Sequence, residues 1–161
     1  MKLGAAIERL HASEGELARH LRAVAERHAT EHDVYHVGHA LADKCEELVE
    51  AIVPFATAYG QRVGDGDHDL GGALAERVRR TTAAVVGKSE RAGILLLRDL
   101  RELWVEASET EIDWVIVRQG AMAARDMDLM RTCDIGITQT EGVIRWLKTR
   151  IKESSPQILL T

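Results

Sequence analysis

Residues 32–60 have the sequence HDVYHVGHALADKCEELVEAIVPFATAYG. Apolar side chains recur in it at spacings of three and four residues, at Val34, Val37, Leu41, Cys45, Leu48, Ile52, Phe55 and Tyr59. This spacing places them on one side of a helix, so we predict a long amphipathic helix over residues 31–59. Thr30 followed by Asp33 is typical of a capping box at the start of this helix. Gly60 lies where a C-terminal cap is expected.

Three further segments have the same periodicity and are predicted to be helices, over residues 3–28, 90–124 and 128–152. Residues 60–91 are rich in glycine and acidic side chains, and we expect a crossover there that contains a short helix over residues 70–86. One unbroken helix over 90–152 would be about 90 Å long, which is implausible in a chain of this size. We therefore place a turn near Arg125 to Met127.

Two prolines interrupt the helical pattern. Pro54 predicts a kink in the second helix or its early end, because proline removes one backbone hydrogen bond. Pro156 predicts the end of the last helix, which leaves residues 153–161 as a tail. The apolar triplet Ile158 to Leu160 in this tail is expected to fold back onto the bundle, and docking into a partner is the alternative.

These elements predict an all-α fold in which four long helices form two antiparallel hairpins joined by a crossover. The order of the elements resembles the ferritin-like four-helix-bundle superfamily over nearly the whole chain, at the level of architecture. Three segments are also similar to a family of short bacterial helical proteins, a resemblance that supports the fold and implies no activity. They are His32-Asp33-Val34-Tyr35-His36 through Cys45, Leu95 to Trp104, and Lys152-Glu153-Ser154-Ser155-Pro156-Gln157.

Composition restricts the classes of function. The 161 residues carry a formal charge of -5, with a pI near 5.8, and the arginines are interspersed with acids. This pattern argues against nucleic-acid binding, which needs a concentrated basic face, and no apolar run is long enough for a membrane span. Cys45 and Cys133 lie in apolar helical patterns, so we expect reduced, buried thiols in a cytoplasmic protein.

The resemblance to ferritin-like proteins raises the possibility of a di-iron centre, which needs inward carboxylates and two Glu-x-x-His motifs. Glu14 and Glu111 are the candidate carboxylates that face the helical seams. Leu17 follows Glu14 by three residues and Trp114 follows Glu111 by three, so neither has the histidine that the motif requires. Core packing is the predicted role of Trp114 and also of Trp104.

Five histidines crowd the first hairpin: His20, His28, His32, His36 and His39. His28, His32 and His36 are the candidate ligands for iron or zinc, and the turn would bring His28 opposite His32 and His20 level with His39. However, His32 and His36 belong to a stripe that lies on the side of the second helix away from its apolar seam. We therefore interpret the stripe as a solvated face, with a metal site, a pH-responsive site or a self-association face as alternatives. His28 is expected to form hydrogen bonds at the edge of the core.

The loop between the hairpins has the sequence Asp65-Gly66-Asp67-His68-Asp69. Its carboxylates alternate, and Glu76 is twelfth from Asp65, as in a calcium-binding EF-hand loop. Leu70 replaces the glycine required at the sixth position, so an acidic linker is favoured over a calcium or magnesium site.

No nucleophile elbow, phosphate-binding loop or dinucleotide motif is present. We therefore predict a non-enzymatic interaction or regulatory protein that forms a homo-oligomer or binds a protein partner, without a cofactor. The alternative is a divergent ferritin-like metal-binding or redox protein.

Overall fold

The structure, a computed structural model, describes residues 2–63 and 89–160. These residues form four helices: α1 (Lys2–Arg27), α2 (His32–Ala58), α3 (Ser89–Ala124) and α4 (Met127–Leu159). No strand occurs among them, and the predicted all-α four-helix fold is confirmed. Within the same residues, no helix combines the length and the apolar character that a membrane span requires. The predicted short helix over residues 70–86 lies outside the described residues.

Two apolar clusters stabilise the bundle, and their members give the direction of each helix. One cluster joins the C-terminal halves of α1 and α4 to the N-terminal halves of α2 and α3, for example Leu21 and Leu147 to Leu100. The other joins the opposite halves, for example Ile7 to Ile52 and Trp114. It follows that α1 is antiparallel to α2 and to α3, α3 is antiparallel to α4, and α2 runs parallel to α3.

The ends of α2 differ partly from the prediction. Glu31 is the N-cap residue, and its side chain forms no capping bond with the described residues. The prediction of a capping box that begins at Thr30 is therefore wrong. The helix continues through Pro54 to Ala58, which rules out an early end at that proline. Gly60 adopts a φ of 79°, and the amide of Gln61 donates to the carbonyl of Ala56 at 2.9 Å. This is a Schellman cap, in which glycine takes the left-handed conformation that other residues avoid.

The turn between α3 and α4 lies where the sequence places it. Arg125 takes the left-handed position with a φ of 59°, and the amide of Asp126 donates to the carbonyl of Ala121 at 3.0 Å. The Asp126 carboxylate then caps α4 by accepting from the amide of Leu129 at 3.0 Å. It also accepts from the hydroxyl of Tyr59 at 3.0 Å, which ties this turn to the end of α2.

The C-terminal segment corrects a second prediction. Pro156 does not end the last helix, because α4 continues to Leu159. Ile158 packs against Gly93 of α3 and against the apolar cluster of that end of the bundle, whereas Leu159 and Leu160 are exposed. The tail is therefore a helical extension of α4, and of its apolar triplet only Ile158 packs against the bundle. The prediction that the triplet folds back onto the bundle is wrong.

Candidate functional site

Four sets of polar contacts link α1 to α3 along the bundle, and we call them the polar ladder. They are Arg9–Asp113, Glu14–Trp114, His20–Glu106, and Arg27 with His28 to Asp99. From Glu14 through His20 to Arg27 the residue numbers rise along α1 while those of their partners fall along α3, as expected for antiparallel neighbours. The acids of the ladder lie on α3 except for Glu14. Its basic side chains lie on α1, except for His28, which follows the last residue of that helix.

Glu14 is fully buried between the two apolar clusters. The indole N–H of Trp114 donates to Glu14 Oε2 at 2.7 Å, while Glu14 Oε1 has no hydrogen-bond partner in the part of the chain that the structure describes. Trp114 is itself fully buried, and its ring lies so close to Gly136 of α4 that a Cβ at that position would overlap it. The tryptophan therefore fills the interior beside the carboxylate, where a glycine on the facing helix leaves room.

Burial raises the pKa of Glu14 and of both cysteines. Desolvation raises the pKa of the Glu14 carboxyl, and hydrogen bonds from Trp114 and Cys45 offset part of that increase. Desolvation also raises the pKa of the Cys45 thiol, and it raises the pKa of Cys133 to about 12. Both cysteines are free and buried, as predicted. Neither thiol is suited to nucleophilic chemistry, because the thiolate is the reactive form.

At the hairpin end of the ladder, Asp99 is buried and holds two basic side chains. Its Oδ2 atom accepts from Arg27 Nη1 at 2.7 Å and lies 2.8 Å from His28 Nε2. His28 is buried, so its predicted role as a hydrogen-bonded residue at the edge of the core is confirmed. The sequence did not reveal Asp99 as its partner, because α3 is far from α1 along the chain.

His20 occupies the middle of the ladder. Its Nδ1 atom lies 2.5 Å from Glu106 Oε2, and the ring is buried. The sequence placed His20 level with His39 on the hairpin surface, but the structure turns His20 towards α3. His39 instead lies 2.8 Å from Glu26 Oε1, so the two histidines belong to different contacts.

The other candidate ligands do not converge. His32 and His36 are exposed on α2, with ring centroids 6.4 Å apart, while His28 binds Asp99. Glu14 binds Trp114, and Glu111 is half-buried and forms no hydrogen bond or ion pair with the described residues. No three His, Cys, Asp or Glu side chains within residues 2–63 and 89–160 are arranged to hold a metal ion.

The stripe on α2 also includes His39, Asp43, Glu46 and Glu50. It faces water as interpreted, since all of its members are exposed except His39, which is half-buried. Arg22 of α1 crosses to it, with Nη2 donating to Asp43 at 2.8 Å and to Glu46 at 2.7 Å. The candidate cation loop, Asp65, Asp67, Asp69 and Glu76, lies outside the described residues.

A feature that the sequence analysis missed is an apolar surface on α3. Four aliphatic side chains, which we call the outer face of α3, are 39% to 55% exposed: Ile94, Val105, Ile112 and Ile116. At 100° per residue they lie within about 40° of one another and opposite the buried side of the helix. Trp104, expected in the core, is also exposed. Counting apolar residues around the whole helix, rather than along one seam, would have revealed this surface.

No protein-family model, curated protein or solved structure matches this chain. The buried polar ladder and the outer face of α3 are therefore the features from which a function has to be inferred.

Proposed function

We propose that this chain is a non-enzymatic helical interaction module that binds protein through the outer face of α3. The observation that carries the proposal is that α3 is apolar on two opposite sides. Its inner side is already covered, with Leu100, Leu103 and Trp114 buried among the other helices. Ile94, Ile112 and Ile116 are each more than half exposed in the isolated chain, so they contribute little to its folding.

The arrangement of these side chains supports a helical contact. Ile94 and Ile116 are twenty-two residues apart, which corresponds to about 33 Å along a helix axis. Apolar side chains aligned over this distance are typical of a helix that packs against another helix or in a groove. The polar ladder is explained by a structural role, because its acids face basic or indole N–H groups on the neighbouring helix.

Site-specific photo-cross-linking in the cells that make the protein would test this proposal. A photoreactive amino acid at position 112 should give a defined covalent adduct with protein, either another chain or a second copy. The matched control is the same amino acid at position 50, because Glu50 is exposed on α2, outside the outer face. If position 112 gives no adduct beyond that of position 50, the proposal is wrong.

A second candidate function is that of a divergent ferritin-like metal-binding or redox protein. Glu14 favours it, because Oε1 is a buried carboxylate oxygen without a hydrogen-bond partner among residues 2–63 and 89–160. Metal analysis of protein purified without a histidine tag tests this candidate. Stoichiometric iron, manganese or zinc that is lost on Glu14→Gln would support it, and metal-free protein with an unchanged melting temperature after metal addition would reject it.

A further inference from the structure

The outer face of α3 has a symmetric distribution of side chains about Val105. Ile94 and Ile116 are each eleven residues from Val105, and eleven residues correspond to about three full turns of a helix. Arg101 and Glu109 are each four residues from Val105 and carry opposite charges. A surface that repeats itself about its own centre, with unlike charges at equivalent distances, is complementary to an antiparallel copy of itself.

We propose that the outer face of α3 binds the same face of a second copy of this chain, antiparallel, with Val105 at the two-fold axis. The inference rests on the proposed function and specifies its partner. In this register Ile94 of one copy lies level with Ile116 of the other, at both ends of the contact. Ile112 lies level with Arg98, whose aliphatic stem can cover it.

Charge also favours this partner. Arg101 of one copy comes level with Glu109 of the other, and two such pairs form because the contact is symmetric. Both side chains are exposed, and neither forms a hydrogen bond or ion pair with the rest of residues 2–63 and 89–160. By contrast, Arg98 already pairs with Glu102 within α3 at 3.0 Å. Arg101 and Glu109 are therefore charges without a partner among the described residues, and the antiparallel register would pair them.

Engineered cysteines test the register directly. A two-fold axis at Val105 brings the two copies of that residue together, so Val105→Cys should form a disulfide-linked dimer under mild oxidation. Ile112→Cys is the matched control, because the two copies of residue 112 would lie about 21 Å apart along the axes and could not be bridged. The native thiols of Cys45 and Cys133 are buried and do not interfere.

Charge reversal gives an independent measurement of the dimer dissociation constant. Arg101→Glu and Glu109→Arg should each weaken the dimer about tenfold, because each change creates two repulsive pairs. The double variant should restore most of the affinity, since it exchanges the two charges. Failure of the double variant to recover its affinity would overturn the register, as would a disulfide-linked dimer of Ile112→Cys.

Light scattering of the unmodified protein separates this inference from the proposed function. The expected result is a dimer mass, together with a disulfide-linked dimer for Val105→Cys and none for Ile112→Cys. A monomer at all accessible concentrations would overturn self-association. The photo-cross-link at position 112 would then decide the proposed function, because it identifies any other protein bound there.

Discussion

The inner and outer faces of α3 differ in chemistry in an unusual way. The inner face includes Asp99 and Asp113, both buried, and each binds a basic side chain of α1. The outer face instead exposes Ile112 and Ile116. In a helix that only completes its own bundle, acids such as these would lie in water and the isoleucines would lie in the core. The difference indicates that the inner face specifies how α3 aligns with α1, and that the outer face is available for association.

Buried charge between α1 and α3 acts on the alignment of the two helices. A buried ion pair seldom adds much net stability, because desolvation offsets the attraction between the charges. A shift of one turn between α1 and α3 would separate Asp99 from Arg27 and Glu14 from Trp114, leaving buried groups without partners. The polar ladder therefore penalises wrong registers more than it stabilises the correct one.

The largest expected effect comes from breaking the inner face at its buried end. Asp99→Asn keeps the shape of the side chain but leaves Arg27 and His28 without their carboxylate. Breaking a buried pair by removing one partner should lower the free energy of unfolding by about 3–5 kcal/mol. Urea denaturation monitored by circular dichroism measures this loss.

The control for Asp99→Asn is Asp43→Asn on the exposed face of α2. Arg22 retains its contact with Glu46 in that variant, and exposed pairs contribute little, so the loss should stay within about 1 kcal/mol. Equal losses in the two variants would contradict the difference between buried and exposed pairs that we describe.

Trp114→Phe should have the next largest effect. It removes the indole donor from the buried Glu14 carboxyl, whose other oxygen already lacks a hydrogen-bond partner among the described residues, at a cost of about 1–3 kcal/mol in unfolding free energy. A double-mutant cycle with Glu14→Met separates this cost from the change in ring volume. An equal cost of Trp114→Phe in the two backgrounds would assign the effect to volume alone.

Glu14→Gln should have a smaller effect, which depends on pH. The folded-state pKa of Glu14 is raised, so the native protein holds this proton more tightly than the unfolded chain does. Its contribution to stability is complete below the ordinary carboxyl pKa and is lost as the pH rises through the raised value. Glutamine does not titrate, so the variant should gain stability relative to the original chain over that pH range. Parallel stability profiles for the two proteins would contradict the raised pKa.

The sequence predicted the outline of the bundle better than its polar interior. Three helices begin and end within one residue of the expected bounds, because three-four apolar spacing and Gly60 are local signals and the size of the chain limits the length of a helix. The polar ladder depends on pairs that are distant in the chain, such as His28 with Asp99, and spacing within one helix carries no information about them. Glu14 was recognised as facing inward, but its partner Trp114 was assigned only to packing.

The outer face was missed for a different reason. Following one apolar seam along α3 places Trp104 and Trp114 on the same side and predicts core packing for both. The structure buries Trp114 and exposes Trp104 and Ile112. Where a helix has apolar residues on two sides, the pattern alone does not tell which side meets the bundle. The choice is made in three dimensions, here by the acids that find basic side chains on α1.

The smallest effect on folding is expected from a substitution on the outer face. This substitution also gives the sharpest distinction between the two faces of α3. Ile112→Gln removes an exposed apolar side chain, so the free energy of unfolding of the monomer should change by no more than about 0.5 kcal/mol. The same change should weaken association, because it places an amide in the apolar contact with the second copy. Denaturation at low concentration and light scattering at high concentration measure the two effects separately. A large loss of monomer stability would mean that Ile112 belongs to the core, and that α3 has no outer face for association.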